Sequence, residues 1–157
     1  MASTTFSGPV TSTNGFIGNL TGNVTGNISG NIAGTGSVTH ATTAAINATG
    51  TATAAQVATG YITSTSASPT TITLPTGTAL GTALGAVRGT VFDLYIDNTA
   101  GASTVTVAVN TNAVLSSAAV DTAGSFGDLT IAAGATGIAR FTLMFASATA
   151  YTFTRTA

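Results

Sequence analysis

Between Gly18 and Gly34 the chain repeats one four-residue unit: Gly18-Asn19-Leu20-Thr21, Gly22-Asn23-Val24-Thr25, Gly26-Asn27-Ile28-Ser29 and Gly30-Asn31-Ile32-Ala33. A period of four is even. On an extended chain Leu20, Val24, Ile28 and Ile32 therefore point to one side, alternating there with the glycines, while Asn and Thr take the other. Each apolar residue contributes roughly 1.5 to 3 kcal/mol when fully buried, whereas ordering four backbone residues costs about 1 to 2 kcal/mol apiece. One isolated strand of this kind runs a deficit that partners must make good. Identical chains running side by side around an axis would bring rings of Leu, Val and Ile together, with Gly22, Gly26 and Gly30 allowing close backbone approach. Residues 18–34 thus read as an intertwined oligomerisation stem, and a homotrimer is the expected assembly.

Charge is scarce. Three arginines and four aspartates are the charged side chains, with no Lys and no Glu, against roughly 25% charged residues in an average soluble domain. Hydroxyls take over the solubilising role, and the abundant β-branched Thr disfavours helix and suits a half-buried pleated surface. This is an all-β composition, better suited to a subunit of an assembly than to a free monomer, since near-neutral net charge favours self-association. The longest run of large apolar side chains is Leu143-Met144-Phe145, and a spanning helix needs about 20, so no membrane span is expected. Residues 1–5 carry neither a positive nor an apolar region of a secretory signal, and the absence of Cys fits synthesis in a reducing cytoplasm.

Four segments follow from the pattern. Residues 1–17 hold two small apolar clusters, Phe6, Pro9 and Val10, then Phe16 and Ile17, separated by turn-forming residues; they read as an anchor with two contact points. Residues 18–34 are the stem. Residues 35–60, rich in Ala and Thr with scattered Val38, Ile46 and Val57, read as a connector in which 44–46 or 53–58 could form a short helical turn. Residues 61–157 show short alternating runs broken by Gly, Pro, Asn and Asp, as expected of an antiparallel β-sandwich of jelly-roll type. Strands are expected at 61–65, 70–74, 90–97, 104–109, 128–131, 140–145 and 151–155. Their inward sets are Phe92, Leu94 and Ile96, then Val105, Val107 and Val109, then Phe141, Leu143 and Phe145.

No constellation for chemistry emerges. His40 is the single histidine and has no carboxylate near it in sequence; a hydrogen-bonded or solvated role outweighs a metal or anion site on a trimer axis. Asp93 and Asp97 lie four residues apart on a strand, roughly 13 Å, beyond the approximately 5 to 9.5 Å of paired glycosidase carboxylates. Strand-edge and turn roles suit them better, with Arg88 or Arg140 as an ion-pair partner. Asp121 and Asp128 fall among turn residues, and no calcium-loop spacing appears. Neither a nucleophile elbow nor a phosphate loop is present, and the dispersed Arg88, Arg140 and Arg155 give no footprint for nucleic acid. Asn19, Asn23, Asn27 and Asn47 fit the N-glycosylation pattern, three of them as a by-product of the repeat. Neither an enzyme nor a cofactor or metal protein is expected.

The run from Phe6 through Ser7, Gly8, Pro9, Val10 and Thr11 to Phe16, leading into the Gly-Asn-apolar-Thr repeat, resembles the N-termini of virion structural proteins of tailed bacteriophages, small capsid decoration (cement) proteins and head or tail fibres among them. The resemblance covers about the first quarter of the chain. It implies a non-enzymatic homotrimer with one part bound to the virion and another projecting, assembled in the host cytoplasm. The shortness of the repeat favours a decoration protein on the outer capsid surface, bound to the major capsid protein through Phe6, Pro9, Val10, Phe16 and Ile17. The competing reading is a tail fibre or spike whose β domain binds a host glycan or receptor, for which Tyr61, Tyr95 and Tyr151 are the candidate aromatics.

Overall fold

The computed structural model describes residues 40, 42–116 and 129–156. The chain divides into a compact unit of residues 37–157 and a separate one of residues 1–36. The anchor, the stem, Asp121 and Asp128 lie outside the described residues.

The 37–157 unit is predominantly β. Its first half is a coil in which the chain visits two sheets in turn. β1 (Ala44–Ala45) lies in one sheet and β2 (Gly50–Thr51) in the other. Helix α1 (Ala54–Ala58) leads back to the first sheet at β3 (Tyr61–Thr63), and β4 (Thr70–Thr73) returns to the second. Helix α2 (Gly77–Leu84) precedes β5 (Val91–Asp97) in the first sheet, and β6 (Val105–Ala108) again enters the second. Each turn of the coil lays its strands parallel to those of the turn before. Ala44 pairs with Ile62 and Ile62 with Ile96 in one sheet, while Gly50 pairs with Ile72 and Ile72 with Val107 in the other.

The second half closes both sheets. β7 (Ala113–Leu115) joins the first sheet and β8 (Thr130–Ile131) the second, where it runs antiparallel to β6. β9 (Ile138–Ser147) runs antiparallel to β5, pairing all of β5 with residues 138–144, and β10 (Ala150–Arg155) folds back on β9 and takes β7 as a parallel neighbour. The sheet orders are β1-β3-β5-β9-β10-β7 and β2-β4-β6-β8. Side chains of both sheets share one core, with Ile62, Leu94, Ile96, Phe141, Leu143 and Phe153 from the first and Ile72, Val105, Val107 and Ile131 from the second.

Three expectations change. Wholly antiparallel pairing, and with it the jelly roll, gives way to mixed sheets, because strands joined by crossovers between two sheets must stack parallel. Residues 42–60, expected as connector, supply β1 and β2 and bury Ala44, Ala52 and Val57, while the short helical turn offered at 53–58 is present as α1. The Ala-rich stretch there holds a helix because Thr53 caps it: its Oγ1 accepts from Gln56 N at 3.1 Å while Gln56 Oε1 accepts from Thr53 N at 2.8 Å, a capping box. Val109, expected inward, is exposed, since β6 ends at Ala108. The other inward residues sit as the alternation predicts, Phe92 packing only partly buried at the strand start.

Candidate functional site

The outer face of the six-stranded sheet collects most of the polar and aromatic groups of interest. Along β5 the residues Val91, Asp93, Tyr95 and Asp97 alternate with the buried Leu94 and Ile96 and so face outward. The parallel register sets Tyr61 beside Tyr95, and the antiparallel register sets Tyr95 beside Arg140 and Asp93 beside Thr142. The two tyrosine rings lie near-parallel, at 22° with centroids 6.3 Å apart.

His40 completes the cluster. Its ring lies 5.8 Å from that of Tyr61 and 5.7 Å from that of Tyr95, and its Nδ1 is 2.9 Å from the Thr59 carbonyl oxygen. A carbonyl only accepts, so Nδ1 carries a proton and the ring is oriented by a backbone it reaches across 19 residues. Room for the imidazole comes from Gly60, whose φ of +74° closes α1 and whose missing Cβ would otherwise meet the His40 ring.

Two carboxylates flank the rings, each held by its own donors. Asp93 accepts from Arg140 Nη2 at 2.9 Å and from Thr142 Oγ1 at 2.7 Å. Partial burial works to raise its pKa, but these two donors outweigh burial and hold it below the ordinary carboxylate value. Asp97 accepts from Thr99 Oγ1 at 2.6 Å and Thr99 N at 2.9 Å, and from the Tyr61 hydroxyl at 2.9 Å. The Thr99 bonds chiefly keep its pKa low. Burial, then the bond to Asp97, push the Tyr61 phenol upward, so it remains a neutral donor.

β3 pairs with residues 95–97 of β5 and ends there, while residues 91–94 run on past it. Beside this step lies an open depression of about 500 Å3 lined by His40, Tyr61, Tyr95, Asp93, Ile138 and the β5 residues Val91 and Phe92. On the same sheet face, Val91, Met144, Thr152 and Val114 form one cross-strand row. Val91, Met144 and Val114 are 63%, 40% and 47% exposed, which makes the row a mainly apolar stripe open to a partner.

Of the three tyrosines considered for recognition, Tyr61 and Tyr95 are brought together and Tyr151 is not. Tyr151 is buried, donates its hydroxyl to the Pro75 carbonyl at 2.8 Å, and has its pKa driven up by burial. Arg140, not Arg88, takes Asp93. Sequence reasoning missed the convergence of His40 with the tyrosines; the three rings come from residues 40, 61 and 95, and no local pattern links them. Among the described residues no group of three His, Cys, Asp or Glu could hold a metal ion, and no helix is long and apolar enough to cross a membrane. The arrangement offers aromatic faces and fixed donors and acceptors, which is chemistry suited to recognition.

Comparison with protein-family models, with curated proteins and with solved structures finds no match to this chain.

Proposed function

We propose that this chain is a non-enzymatic structural protein of a tailed-phage virion, a decoration protein that binds the outer capsid surface as a homotrimer and stabilises the shell. The observation that carries the reading is the Gly-Asn-x-Thr repeat, whose apolar stripe at Leu20, Val24, Ile28 and Ile32 needs partner chains to be buried. A charge-poor β body, its two sheets facing each other as a sandwich, is consistent with life in an assembly. Residues Phe6, Pro9, Val10, Phe16 and Ile17 are the proposed contacts with the major capsid protein, and the stripe of Val91, Met144 and Val114 offers the body a second contact surface. A protein that binds only the assembled shell stabilises it by mass action, and many weak sites add through multivalency.

Deleting residues 1–17 is expected to abolish sedimentation of the protein with capsids; full retention would move the interface to the body. Copy number relative to the major capsid protein, measured by quantitative mass spectrometry of purified particles, tests the placement. Abundance near that of the capsid subunit is expected, and a few to a few dozen copies would overturn it.

A second reading, a fibre or spike that binds a host surface glycan or receptor, is favoured by one observation: the Tyr61–Tyr95 pair beside an open depression.

A further inference from the structure

We infer that the depression at the end of β3 is a saccharide site, which takes the C–H face of a neutral pyranose against the rings of Tyr95, Tyr61 and His40. The inference rests on the second reading for its biological target, while binding by the purified chain stands apart from it.

Four observations lead there. The volume, about 500 Å3, falls within the roughly 300 to 1,000 Å3 of small-ligand sites. Its walls are aromatic and aliphatic, with Val91 and Ile138 exposed at 63% and 48%, and the Asp93 carboxylate, paired with Arg140, joins them as a polar group. Those polar groups are already positioned: Asp93 is gripped by Arg140 and Thr142, and Tyr61 by Asp97. Each Asp93 carboxylate oxygen has one donor and keeps a second lone pair for a sugar hydroxyl, and little ordering remains to oppose binding. A ligand with an apolar face and a hydroxylated rim fits this distribution.

Ring geometry and charge exclude the other ligands that aromatic clusters commonly serve. The three rings touch one another at 5.7 to 6.3 Å between centroids. Packed on one another at these distances, they leave no gap between them for the quaternary ammonium that opposed rings enclose. Two carboxylates, Asp93 and Asp97, stand against one guanidinium, Arg140, so surplus negative charge opposes phosphate and carboxylate ligands.

The test is saturation-transfer NMR and calorimetric titration of the full chain with lactose, cellotetraose and diacetylchitobiose, with adenosine monophosphate as the planar, anionic comparator. At least one sugar is expected to bind with a Kd of about 1 mM, as a single small shallow site affords, and to receive saturation mainly on its ring C–H protons. Tyr95→Ala is expected to weaken it at least tenfold, while Tyr95→Phe, which keeps the ring, stays near wild type. Val91→Arg, at an exposed position on the rim, fills the depression without touching the core and is expected to weaken binding as well. No sugar binding at about 20 mM, sugar binding indifferent to both Tyr95→Ala and Val91→Arg, or Tyr95-dependent binding of the nucleotide alone would each overturn the inference. In the first of these cases the rings serve only to brace the sheet. Failure of the spike reading is separately visible: tyrosine-dependent sugar binding together with capsid-level copy number would keep the site and reject the spike.

Discussion

Asn98 is the most constrained polar residue in the described fold, and changing one atom of it should be severe. Its side chain is fully buried. Nδ2 donates to the Ser103 and Ala132 carbonyls at 2.9 Å each and approaches the Ile131 carbonyl at 3.3 Å, so it ties the turn after β5 to the segment between β8 and β9. Its backbone continues the junction, with N donating to Gly137 O and its carbonyl accepting from Gly101 and Gly134. Oδ1 finds no partner among the described residues, where the amide is held by its donors alone. Asn98→Asp keeps the shape, removes both N–H groups and turns an acceptor toward those carbonyls. Losing two net hydrogen bonds costs about 1 kcal/mol each, and the stranded carbonyls about 1 to 3 kcal/mol more. These terms sum to about 3 to 5 kcal/mol and the buried carboxylate adds a further penalty, so at about 4 °C per kcal/mol for a unit of this size Tm falls by at least about 12 to 20 °C at pH 7. Asn98→Ala, which strands the same carbonyls without burying a charge, should fall less. Burial would raise the new carboxyl's pKa above its unfolded value, so the deficit of Asn98→Asp should narrow between pH 7 and pH 5 as the proton returns and supplies one donor. Differential scanning calorimetry of the three proteins at both pH values decides it. A loss under about 4 °C for Asn98→Asp, or an equal loss for the Asp and Ala variants with no pH dependence, would refute the assignment of Asn98 as a donor-held clamp.

Two further outcomes are expected. At Gly81 in α2 an added Cβ would overlap the Ala148 carbonyl of the turn between β9 and β10, so Gly81→Ala should lower stability by about 1 to 3 kcal/mol despite the roughly 1 kcal/mol that Ala gains in helix propensity; a denaturant midpoint at or above that of wild type would exclude the close approach. Asp93 and Asp97 have folded pKa values below their unfolded ones, so their contribution is present above the unfolded value of about 3.9 and is lost as pH falls through the folded values. Melting temperature should hold between pH 7 and 5 and drop below about pH 4, with a smaller acid drop in the Asp93→Asn, Asp97→Asn double variant; an identical drop would assign acid sensitivity elsewhere.

How much of this was legible follows from what is local. Strand existence and facing were, because alternation has a period of two: Leu94 and Ile96 are buried and Tyr95 and Asp97 are not, as the sequence of β5 implies. Strand direction was not. Parallel pairing of Ile62 with Ile96 depends on a chain that leaves the sheet and returns through α2, and turn residues between short apolar runs look the same for a hairpin and a crossover. In the 42–60 stretch the helical turn at 53–58 was legible and stands as α1, but β1 and β2 were not, because their core neighbours Ala44 and Ala52 are small and show no period. Of the site, Asp97 at a strand-ending turn was legible and now has Thr99 as its partner there. The ring cluster was not, since its members come from three separate segments joined by register.

That register also explains why a depression forms where it does. Successive turns of the coil place two, three and seven residues in the first sheet, at β1, β3 and β5, while β9 on the other flank has ten and covers β5 from end to end. Parallel stacking aligns the C-terminal ends, since Ala45, Thr63 and Asp97 fall in one row. All of the length mismatch therefore gathers at the N-terminal half of β5. Asp93 and Val91 are left beyond the last paired residue of β3, and the helix end at Thr59 and Gly60 fills the corner with His40 across it. A fold of regular rungs would present a flat, Thr-covered face there. The step turns that face into a recess lined by the three rings and Asp93, without any inserted loop. The recess thus depends on the unequal strand lengths as much as on the side chains that line it.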